Sequence, residues 1–340
     1  MISPDLPEEA WLAALLALPG VGPARLKALL VGRTAKSVWT DARAGAPEIA
    51  LACGKPDLAR SWMIACRGAD VSKLWARYRQ LDIGVLGRGS PGYPGPLLDD
   101  PEPPAVLFTQ GDPAAVGPLR VGIVGTRQCT RYGVDLAYEL GGMLASSGVT
   151  VVSGLAIGID AAAHSGAIDA GGAPPVAVVG TGLDTPYPRQ NSELWRRVRA
   201  EGLVCGETPL DTPVERWRFP ARNRIIAGLC QVVIVVESHV SGGSLYTATE
   251  AMDRDRTVYA VPGSIRSPAS AGCNRLLADG CLPLCEVSDA MLAVGLLIPT
   301  IPAVPPMEVS DVDRALLEAM GWSPITLDEL ASVADMPFDD

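Results

Sequence analysis

The segments 121-VGIVGTR-127, 149-VTVVSGLAIGID-160 and 176-VAVVGTGLD-184 decide the fold of this chain. Each is a short apolar stretch that leads into a loop of small residues, as buried parallel strands do. Glycines in such a loop let backbone N–H groups approach a phosphate, and the helix that follows directs its positive end to the same point. The three segments therefore predict a doubly wound α/β domain that binds phosphate groups.

The rest of the chain extends this pattern. Strand-like and helix-like stretches alternate from residue 119 to residue 290, which is typical of a mostly parallel sheet with helices on both faces. The predicted strands are 120–124, 150–153, 176–179, 203–205, 232–237, 258–261 and 282–285.

Punctuation by proline and glycine divides the chain into parts. Residues 1–80 carry helical patterns, and a Pro-rich connection with a strand-like AVLF stretch covers residues 91–118. A second Pro-rich linker, 299-PTIPAVPP-306, precedes what looks like the first part of a small helical domain. Because such breaks mark loops and linkers, we predict a helical domain over residues 1–80, a Rossmann-like domain over 81–298, and a linker with an incomplete helical segment over 299–340.

Charged residues are unevenly distributed. The formal net charge is −10 over 340 residues. Residues 307–340 hold nine acidic residues against Arg314 alone, so this tail carries −8 and the other 306 residues only −2. Residues 189–224 hold eight arginines and five carboxylates, and arginine is well suited to bidentate phosphate contacts and to stacking on bases. The acidic total therefore does not exclude a nucleic-acid ligand.

Membrane, secreted and metal-binding proteins have features that this sequence lacks. Its apolar runs are shorter than a membrane span, and its N-terminus has no basic stretch followed by an apolar one. The eight cysteines form no CxxC pair, and the two histidines, His164 and His239, are far apart in sequence. We therefore expect a cytoplasmic protein with no membrane partner, no metal site and no cofactor.

The segment 13-AALLALPGVGPARLKALL-30 follows the helix-hairpin-helix pattern. In that motif a Gly-x-Gly turn presents backbone amides to a nucleic-acid phosphate. Only Arg25 and Lys27 lie close by. A structural helical hairpin without a ligand remains an equal alternative.

The first glycine loop does not carry the dinucleotide fingerprint. Arg127 stands where a dinucleotide-binding turn would close, and the second strand runs into Ser153 and Gly154 rather than into an acidic residue. The sequence therefore does not predict NAD binding. An arginine at the tip of such a loop suits a backbone phosphate, and the third loop also ends in an arginine, Arg189.

The segment 215-ERWRFPARNRIIAGLC-230 places one of only three phenylalanines among arginines at the start of a helix. Such a pairing serves single-stranded nucleic acid, since bases stack on the ring and phosphates contact the cations. The alternative is a Phe that covers the core while the arginines form ion pairs, for example with Glu207 or Glu237. Composition alone slightly favours the alternative.

Catalytic residues are not evident. Asp160 and His164 lie one turn apart at a helix start, and we interpret them as an N-cap and a surface histidine. The sequence therefore predicts a protein that is not an enzyme.

Seven blocks, in this order and spacing, resemble the DNA-processing protein A family, also called DprA or Smf. They are VGIVGTR, VVSGLAIGIDAAAH, GTGLDTPYP, FPARNRIIAGL, VVESHVSGGSLYTA, VYAVPGS and AGCNRLLADG, within about residues 85–290. The resemblance implies an extended Rossmann fold that binds and protects incoming single-stranded DNA, forms a homodimer, and loads the RecA recombinase in natural transformation. Single-strand-binding protein is a further expected partner. The resemblance also identifies residues 309–340 as a winged helix without its second half.

The predicted site combines the loop patterns with this resemblance, which places Arg127, Arg189, Phe219, Arg222 and Arg224 along a DNA groove. The predicted DNA- and phosphate-binding residues are Gly125, Thr126, Arg127, Ser153, Gly154, Gly182, Arg189, Arg216, Phe219, Arg222, Asn223, Arg224, Ser241, Gly242, Gly243 and Ser244. Ile157 stands where the family commonly has a basic residue, which removes one phosphate contact.

A second function stays open. The stretch 241-SGGSLYTATE-250 resembles the PGGxGTxxE loop of Rossmann-fold nucleotide phosphoribohydrolases of the lysine-decarboxylase-like family. There the glycines hold the phosphate and the glutamate contacts the ribose. Ser241 and Leu245 depart from that pattern, and the other blocks match the DNA-binding family better.

Overall fold

The computed structural model of the protein describes residues 6–296 and, beyond them, Arg314, Leu317, Met320 and Thr326. Residues Met1–Leu297 form one compact unit. The predicted partial winged helix falls almost entirely on residues outside the described part of the chain.

Strands in the described part of the chain form one mixed sheet. They are β1 (Gly84–Gly87), β2 (Val106–Gly111), β3 (Arg120–Val124), β4 (Thr150–Ser153), β5 (Val176–Val178), β6 (Leu203–Gly206), β7 (Val232–Val235), β8 (Thr257–Ala260) and β9 (Leu282–Pro283). Their order is β1-β2-β6-β5-β4-β3-β7-β8-β9. The seven strands from β3 to β9 pair in parallel, whereas β2 pairs antiparallel with both β1 and β6.

Helices precede the sheet and then alternate with its strands. The first six are α1 (Glu8–Leu16), α2 (Pro23–Leu29), α3 (Ala35–Ala44), α4 (Pro47–Cys53), α5 (Pro56–Gly68) and α6 (Val71–Gln80). The others are α7 (Gly95–Leu98), α8 (Arg131–Ser146), α9 (Ile159–Asp169), α10 (Ser192–Glu201), α11 (Arg218–Leu229), α12 (Gly243–Met252), α13 (Ala271–Ala278) and α14 (Asp289–Ala293). Short 3-10 helices occupy Pro113–Ala115, Arg189–Asn191 and Pro268–Ser270.

The parallel strands are buried on both faces, which explains why they are nearly continuous runs of Val, Ile and Ala. Val121 and Ile123 of β3 pack with α8 and α9 on one face. On the other face, Val233 and Val235 of β7 pack with α11, α12 and α13. The fold prediction of a doubly wound, mostly parallel sheet is confirmed.

The N-terminal helices share a core with one end of the sheet. Trp11 of α1 and Phe108 of β2 belong to the same buried cluster. The ring of Tyr78 in α6 stacks on Phe108, with 5.2 Å between ring centres and 9° between ring planes. The predicted N-terminal helical region is therefore present, and it is joined to the sheet through apolar contacts.

The sheet order fixes where a ligand can bind. The chain proceeds from β3 through β4 and β5 to β6 in one direction, and then returns to β7 on the other side of β3. The loops that follow β3 and β7 therefore diverge and leave a crevice at the carboxyl ends of the strands. Ligands of open α/β sheets bind at this topological switch point.

Candidate functional site

Hydrogen bonds tie together the two loops at the switch point. The amide of Thr126, after β3, donates to the carbonyl of Glu237, after β7 (2.8 Å). The buried Glu237 carboxylate accepts from the Thr130 amide (2.8 Å) and the Thr130 hydroxyl (2.6 Å), just before α8. A carboxylate at a helix N-terminus is favourable because the free amides there carry partial positive charge. The loops are therefore held in place without a ligand.

A groove of about 840 Å³ opens at this point. Its walls come from the β3 loop, the β4–α9 loop, the start of α11 and the start of α12. The residues along it include Gly125, Thr126, Arg127, Ile157, Asp160, Tyr187, Arg216, Phe219, Arg222, Asn223, Gly243, Ser244 and Thr247. A side pocket of about 130 Å³ adjoins it and is lined in part by Gly154, Tyr187, Phe219 and Arg222. This 840 Å³ space is called the groove.

An aromatic and cationic stack crosses the groove. The guanidinium carbon of Arg127 lies 5.3 Å from the centre of the Phe219 ring, within cation–π distance. The ring of Tyr187 lies 5.5 Å from Phe219 on a tilted plane. Among the described residues Arg127 has no carboxylate partner. Its charge therefore remains available to a phosphate.

Arg222 forms part of the floor of the groove. It is 8% exposed, and its guanidinium donates to the carbonyl of Val178. Burial lowers the pKa of Arg222 to about 10, and Asp160 opposes this shift while the nearby Arg127 adds to it. Arg222 is therefore a cation held at the base of the site.

Asp160 lies directly beneath the loop after β4. Its carboxylate accepts a hydrogen bond from the Gly154 amide (3.1 Å), and the amides of Ala156 and Gly125 also face it. Burial raises the pKa of this carboxyl, while Arg222 and the three amides act in the opposite direction. Helix α9 has Gly158, not Asp160, as its N-cap, so the N-cap prediction is wrong.

His164 is fully buried on α9, so the prediction of a surface histidine is also wrong. Burial lowers the pKa of His164 to about 3, and the charge of Arg222 acts in the same direction. The ring is neutral in the folded protein at ordinary pH. The residues on both faces of α9 are buried, and most of them are apolar. The one-turn spacing of Asp160 and His164 in the sequence does not indicate this burial.

The loop after β4 contributes shape rather than free hydrogen-bonding groups. The Ser153 hydroxyl is buried and donates to the carbonyl of Ile123 (2.6 Å). This hydroxyl therefore bonds within the protein rather than to the predicted phosphate. A Cβ on Gly154 would lie 2.4 Å from the Arg222 guanidinium nitrogens. Gly154 is therefore required for Arg222 to reach the floor of the groove.

Helix α12 directs its N-terminus toward the groove. Gly242 is its N-cap residue, and Gly243 and Ser244 line the groove. The Asn223 amide donates to the Gly243 carbonyl (3.3 Å), which joins α11 to this loop. The Ser244 hydroxyl is buried and donates to the Ser238 hydroxyl (2.9 Å). Backbone amides at a helix N-terminus attract anions, so Gly243 and Ser244 present main-chain groups, while Ser241 is exposed just outside.

The remaining predicted residues lie at different distances from the groove. Arg216 is exposed and lines it, with no carboxylate partner among the described residues. Arg189 is exposed in the 3-10 helix after the third glycine loop, but it lines neither the groove nor the side pocket. Gly182 is buried, and a Cβ there would meet Asp184 and the carbonyl of Pro209. Gly182 therefore shapes the loop away from the groove.

Arg224 requires a correction. Its guanidinium pairs with the Glu207 carboxylate and donates to the carbonyl of Glu102 (2.9 Å), and it lines neither the groove nor the side pocket. Arg222 and Arg224 are two positions apart on α11, so they lie on different faces of the helix. Arg224 thus follows the alternative in which an arginine of this segment forms an ion pair with Glu207, whereas Arg222 faces the groove.

The groove also contains residues that the sequence did not predict as site residues. The ring of Tyr187 contacts Phe219, and Tyr187 lines the side pocket together with residues of the β4–α9 loop. The signal was present, because an aromatic residue stands two positions before Arg189 at the end of a glycine loop. Gln128 and Thr247 also line the groove, but they carried no signal in the sequence.

The described residues were also compared with a phosphoribohydrolase site, a metal site and a membrane span. Glu250, the residue that would contact ribose in a phosphoribohydrolase, pairs with Arg254 (2.5 Å) and does not line the groove. Among the described residues, no group of three or more His, Cys, Asp or Glu side chains could hold a metal ion. No helix of the described chain is long and apolar enough to cross a membrane.

Comparison with known proteins relates this architecture to one family. The family model described as DNA recombination-mediator protein A matches residues 84–295. Protein Smf of Synechocystis sp. is 39% identical over 243 residues, which cover 70% of this chain and 59% of that protein. The chain thus spans about three fifths of that relative.

Two solved structures are similar to the fold described above. The X-ray structure of DNA processing protein A from Streptococcus pneumoniae has 28% identity, covers 85% of this chain and 98% of that one, and gives a TM-score of 0.69. DNA processing protein A from Helicobacter pylori, described for its single-stranded DNA binding mode, has 27% identity, covers 61% and 93%, and gives 0.54. Since the family model covers well over half of the sequence, including every strand of the parallel sheet, the chain belongs to the DNA recombination-mediator protein A family.

Proposed function

We propose that the protein is a non-enzymatic mediator of recombination that binds single-stranded DNA in the groove. The observation that carries this proposal is the Arg127–Phe219 stack at the switch point, an aromatic ring beside a cation that has no carboxylate partner among the described residues. Single-strand-binding proteins combine these two elements, because every base has a face that can stack and every nucleotide carries a phosphate.

The groove supports both kinds of contact. The half-buried rings of Phe219 and Tyr187 supply faces for bases. Arg127, Arg216 and Arg222 supply cations, and the start of α12 supplies backbone amides. A duplex keeps its bases stacked inside, so it would use the cations without the rings. We therefore infer a preference for single strands.

The wider role follows the family resemblance. We propose that the protein protects incoming single-stranded DNA in the cytoplasm and transfers it to the RecA recombinase during natural transformation, in the presence of single-strand-binding protein. Adding the protein should accelerate RecA-dependent strand exchange on DNA coated with single-strand-binding protein. No acceleration by a preparation that binds DNA normally would reject the loading role and leave the binding role intact.

A titration of binding against salt tests the DNA-binding proposal. Fluorescence anisotropy of labelled oligo-dT, with a duplex of equal length beside it, should show tighter binding of the single strand. The logarithm of the affinity should fall linearly with the logarithm of the salt concentration, because phosphate contacts release counterions. Equal or tighter binding of the duplex would contradict the proposal, and release of free base from a nucleoside monophosphate would favour the phosphoribohydrolase instead.

We also propose that the protein is a homodimer. Ile265 is 93% exposed and Val240 is 72% exposed. Both residues lie on loops that are hydrogen-bonded to α13. Gly272 donates to the Ser238 carbonyl (2.7 Å), and Asn274 hydrogen-bonds with Gly263. A contiguous exposed apolar patch marks an interaction site, and we propose that Val240 and Ile265 belong to one. Light scattering should give a dimer for the wild type and a monomer for Ile265→Glu, and a monomeric wild type would refute the proposal.

A further inference from the structure

A second and larger space lies on the other side of the start of α11. This cleft of about 1150 Å³ has the turn between α1 and α2, residues 18–25, along one wall. Its other wall comes from most of residues 207–218 together with Ala221, Arg222 and Ile225 of α11. Arg222 lines both the cleft and the groove. The two spaces are therefore neighbours that share the first turns of α11.

Trp217 stands at this cleft and is 53% exposed. The guanidinium carbon of Arg218 lies 4.5 Å from the centre of the indole ring. Arg218 is in turn held by Glu215, with 3.0 Å between Nε and the carboxylate. One face of the indole is thus supported by a positioned cation, while much of the ring remains in contact with solvent. This is the arrangement of a stacking platform.

The carboxylates of the cleft are each compensated by an arginine. The three carboxylates that line it are each paired with an arginine: Glu207 with Arg224, Asp211 with Arg77, and Glu215 with Arg218. The rest of the lining is mostly Leu, Val, Ala, Pro and Gly. Two further arginines line the cleft: Arg25 donates to the Gly20 carbonyl and Arg222 to the Val178 carbonyl. Around Trp217 the cleft offers apolar contact and a ring face, which suit a base.

We infer that Trp217 and the cleft form a second subsite, which takes a nucleobase of the strand after it leaves the groove. The inference rests on the proposed binding of single-stranded DNA. Trp217 precedes Phe219 by two residues at the start of the same helix, so a strand stacked on Phe219 reaches Trp217 by continuing past Arg218. The groove holds phosphates and bases, whereas Trp217 contributes to the cleft subsite by stacking on a base.

The two subsites differ in their dependence on salt and on strand length. The Trp217→Ala variant should bind a long oligo-dT of about 20 nucleotides about 10-fold more weakly, the loss expected for one base–aromatic stack. It should bind a dinucleotide of dT, which can lie wholly within the groove, as the wild type does. The salt slope should not change, because no phosphate contact is removed.

Conservative variants separate stacking from simple apolar contact. Trp217→Phe should restore most of the affinity for the long strand, whereas Trp217→Leu should remain weak, because leucine has no ring face. All three variants should unfold at the wild-type temperature, since Trp217 is half exposed. Quenching of tryptophan fluorescence by the long strand should be smaller in Trp217→Phe than in the wild type.

The outcomes distinguish this inference from the function on which it rests. Wild-type affinity of Trp217→Ala for both lengths refutes the second subsite and leaves binding in the groove unaffected. An equal loss for both lengths also refutes it, since Trp217 would then act within the groove. Failure of the wild type itself to bind either oligomer refutes the proposed function.

Discussion

The guanidinium of Arg127 and the ring of Phe219 are in contact across the switch point, although one follows β3 and the other begins α11. Each side chain restricts the other before any ligand arrives. Ordering flexible side chains is one of the costs of binding. A groove whose cation and ring are already positioned therefore binds a strand with less loss of entropy.

Removing Arg127 tests the cation of this pair. Arg127→Ala should weaken binding of oligo-dT by about 1 to 3 kcal/mol, and should lower the salt slope by about 0.7, the value for one phosphate contact on a single strand. Arg127→Lys should keep the slope, since the charge remains, but should not recover the full affinity because the planar stack is lost. An unchanged slope in Arg127→Ala, measured by anisotropy at several salt concentrations, would contradict the role of Arg127.

Arg224 and Arg216 should behave in opposite ways. The side chains of Arg224 and Glu207 are only 11% and 13% exposed, so Arg224→Ala leaves a buried carboxylate unpaired and should lower the free energy of unfolding by about 3 kcal/mol. The salt slope should not change. Arg224→Met combined with Glu207→Leu should recover much of the stability.

The matched control is Arg216→Ala, which removes an exposed arginine on the groove. This variant should unfold like the wild type in urea, but its salt slope should fall. If Arg224→Ala loses salt dependence and keeps its stability, the assignment of Arg224 to the fold is incorrect.

Acid should destabilise the protein through His164. Burial lowers the pKa of His164 from 6.5 to about 3, so between these values the unfolded chain binds a proton that the folded protein does not. The contribution of His164 to stability is therefore fully present above about pH 6.5 and is lost as the pH falls toward 3, by at most about 1.4 kcal/mol per pH unit.

Urea unfolding at about pH 7 and about pH 5 measures this effect. His164→Gln cannot gain the proton, so its stability should fall less between the two pH values than that of the wild type. Because glutamine is a polar residue of similar size, the variant can fold at neutral pH. Equal pH dependence of the two proteins would show that His164 does not cause the acid sensitivity.

The acidic tail should oppose DNA binding. Residues 307–340 carry a net charge of −8, and a tethered segment of this charge repels a polyanion or competes with it for cations. Deleting these residues should leave the affinity for oligo-dT equal or tighter at low salt. The difference should vanish when the Debye length falls below about 10 Å. Weaker binding of the deletion variant at every salt concentration would identify the tail as a DNA-binding element.

Apolar patterns explain how much of the fold could be predicted. The strands β3 and β4 begin and end at the predicted residues, because each is a short apolar run that leads into a glycine loop. The AVLF stretch belongs to β2. Strand β1, Gly84–Gly87, was not predicted. Its two glycines are poor strand formers, and its place in the sheet depends on pairing with β2, which is a tertiary contact.

The site was predictable where a residue's role depends on its own loop. Arg127 at the tip of the β3 loop lies on the groove because the carboxyl ends of parallel strands converge there. Arg222 and Arg224 could not be separated by sequence, since which face of α11 meets the groove depends on helix packing. The burial of His164 depends on how α9 packs against α8 and β4, which two polar residues one turn apart do not reveal.

The carboxylate of Asp160 has a consequence for which anions the protein can accept. It already occupies the position where loop amides and an arginine converge, so a carboxyl group of the fold fills this point of the site. To place its phosphate at that point, a single nucleotide would have to displace the carboxyl group of Asp160. A polymer does not, because it spreads its phosphates over the surface above. We therefore expect free nucleotides to compete weakly with single-stranded DNA for the groove.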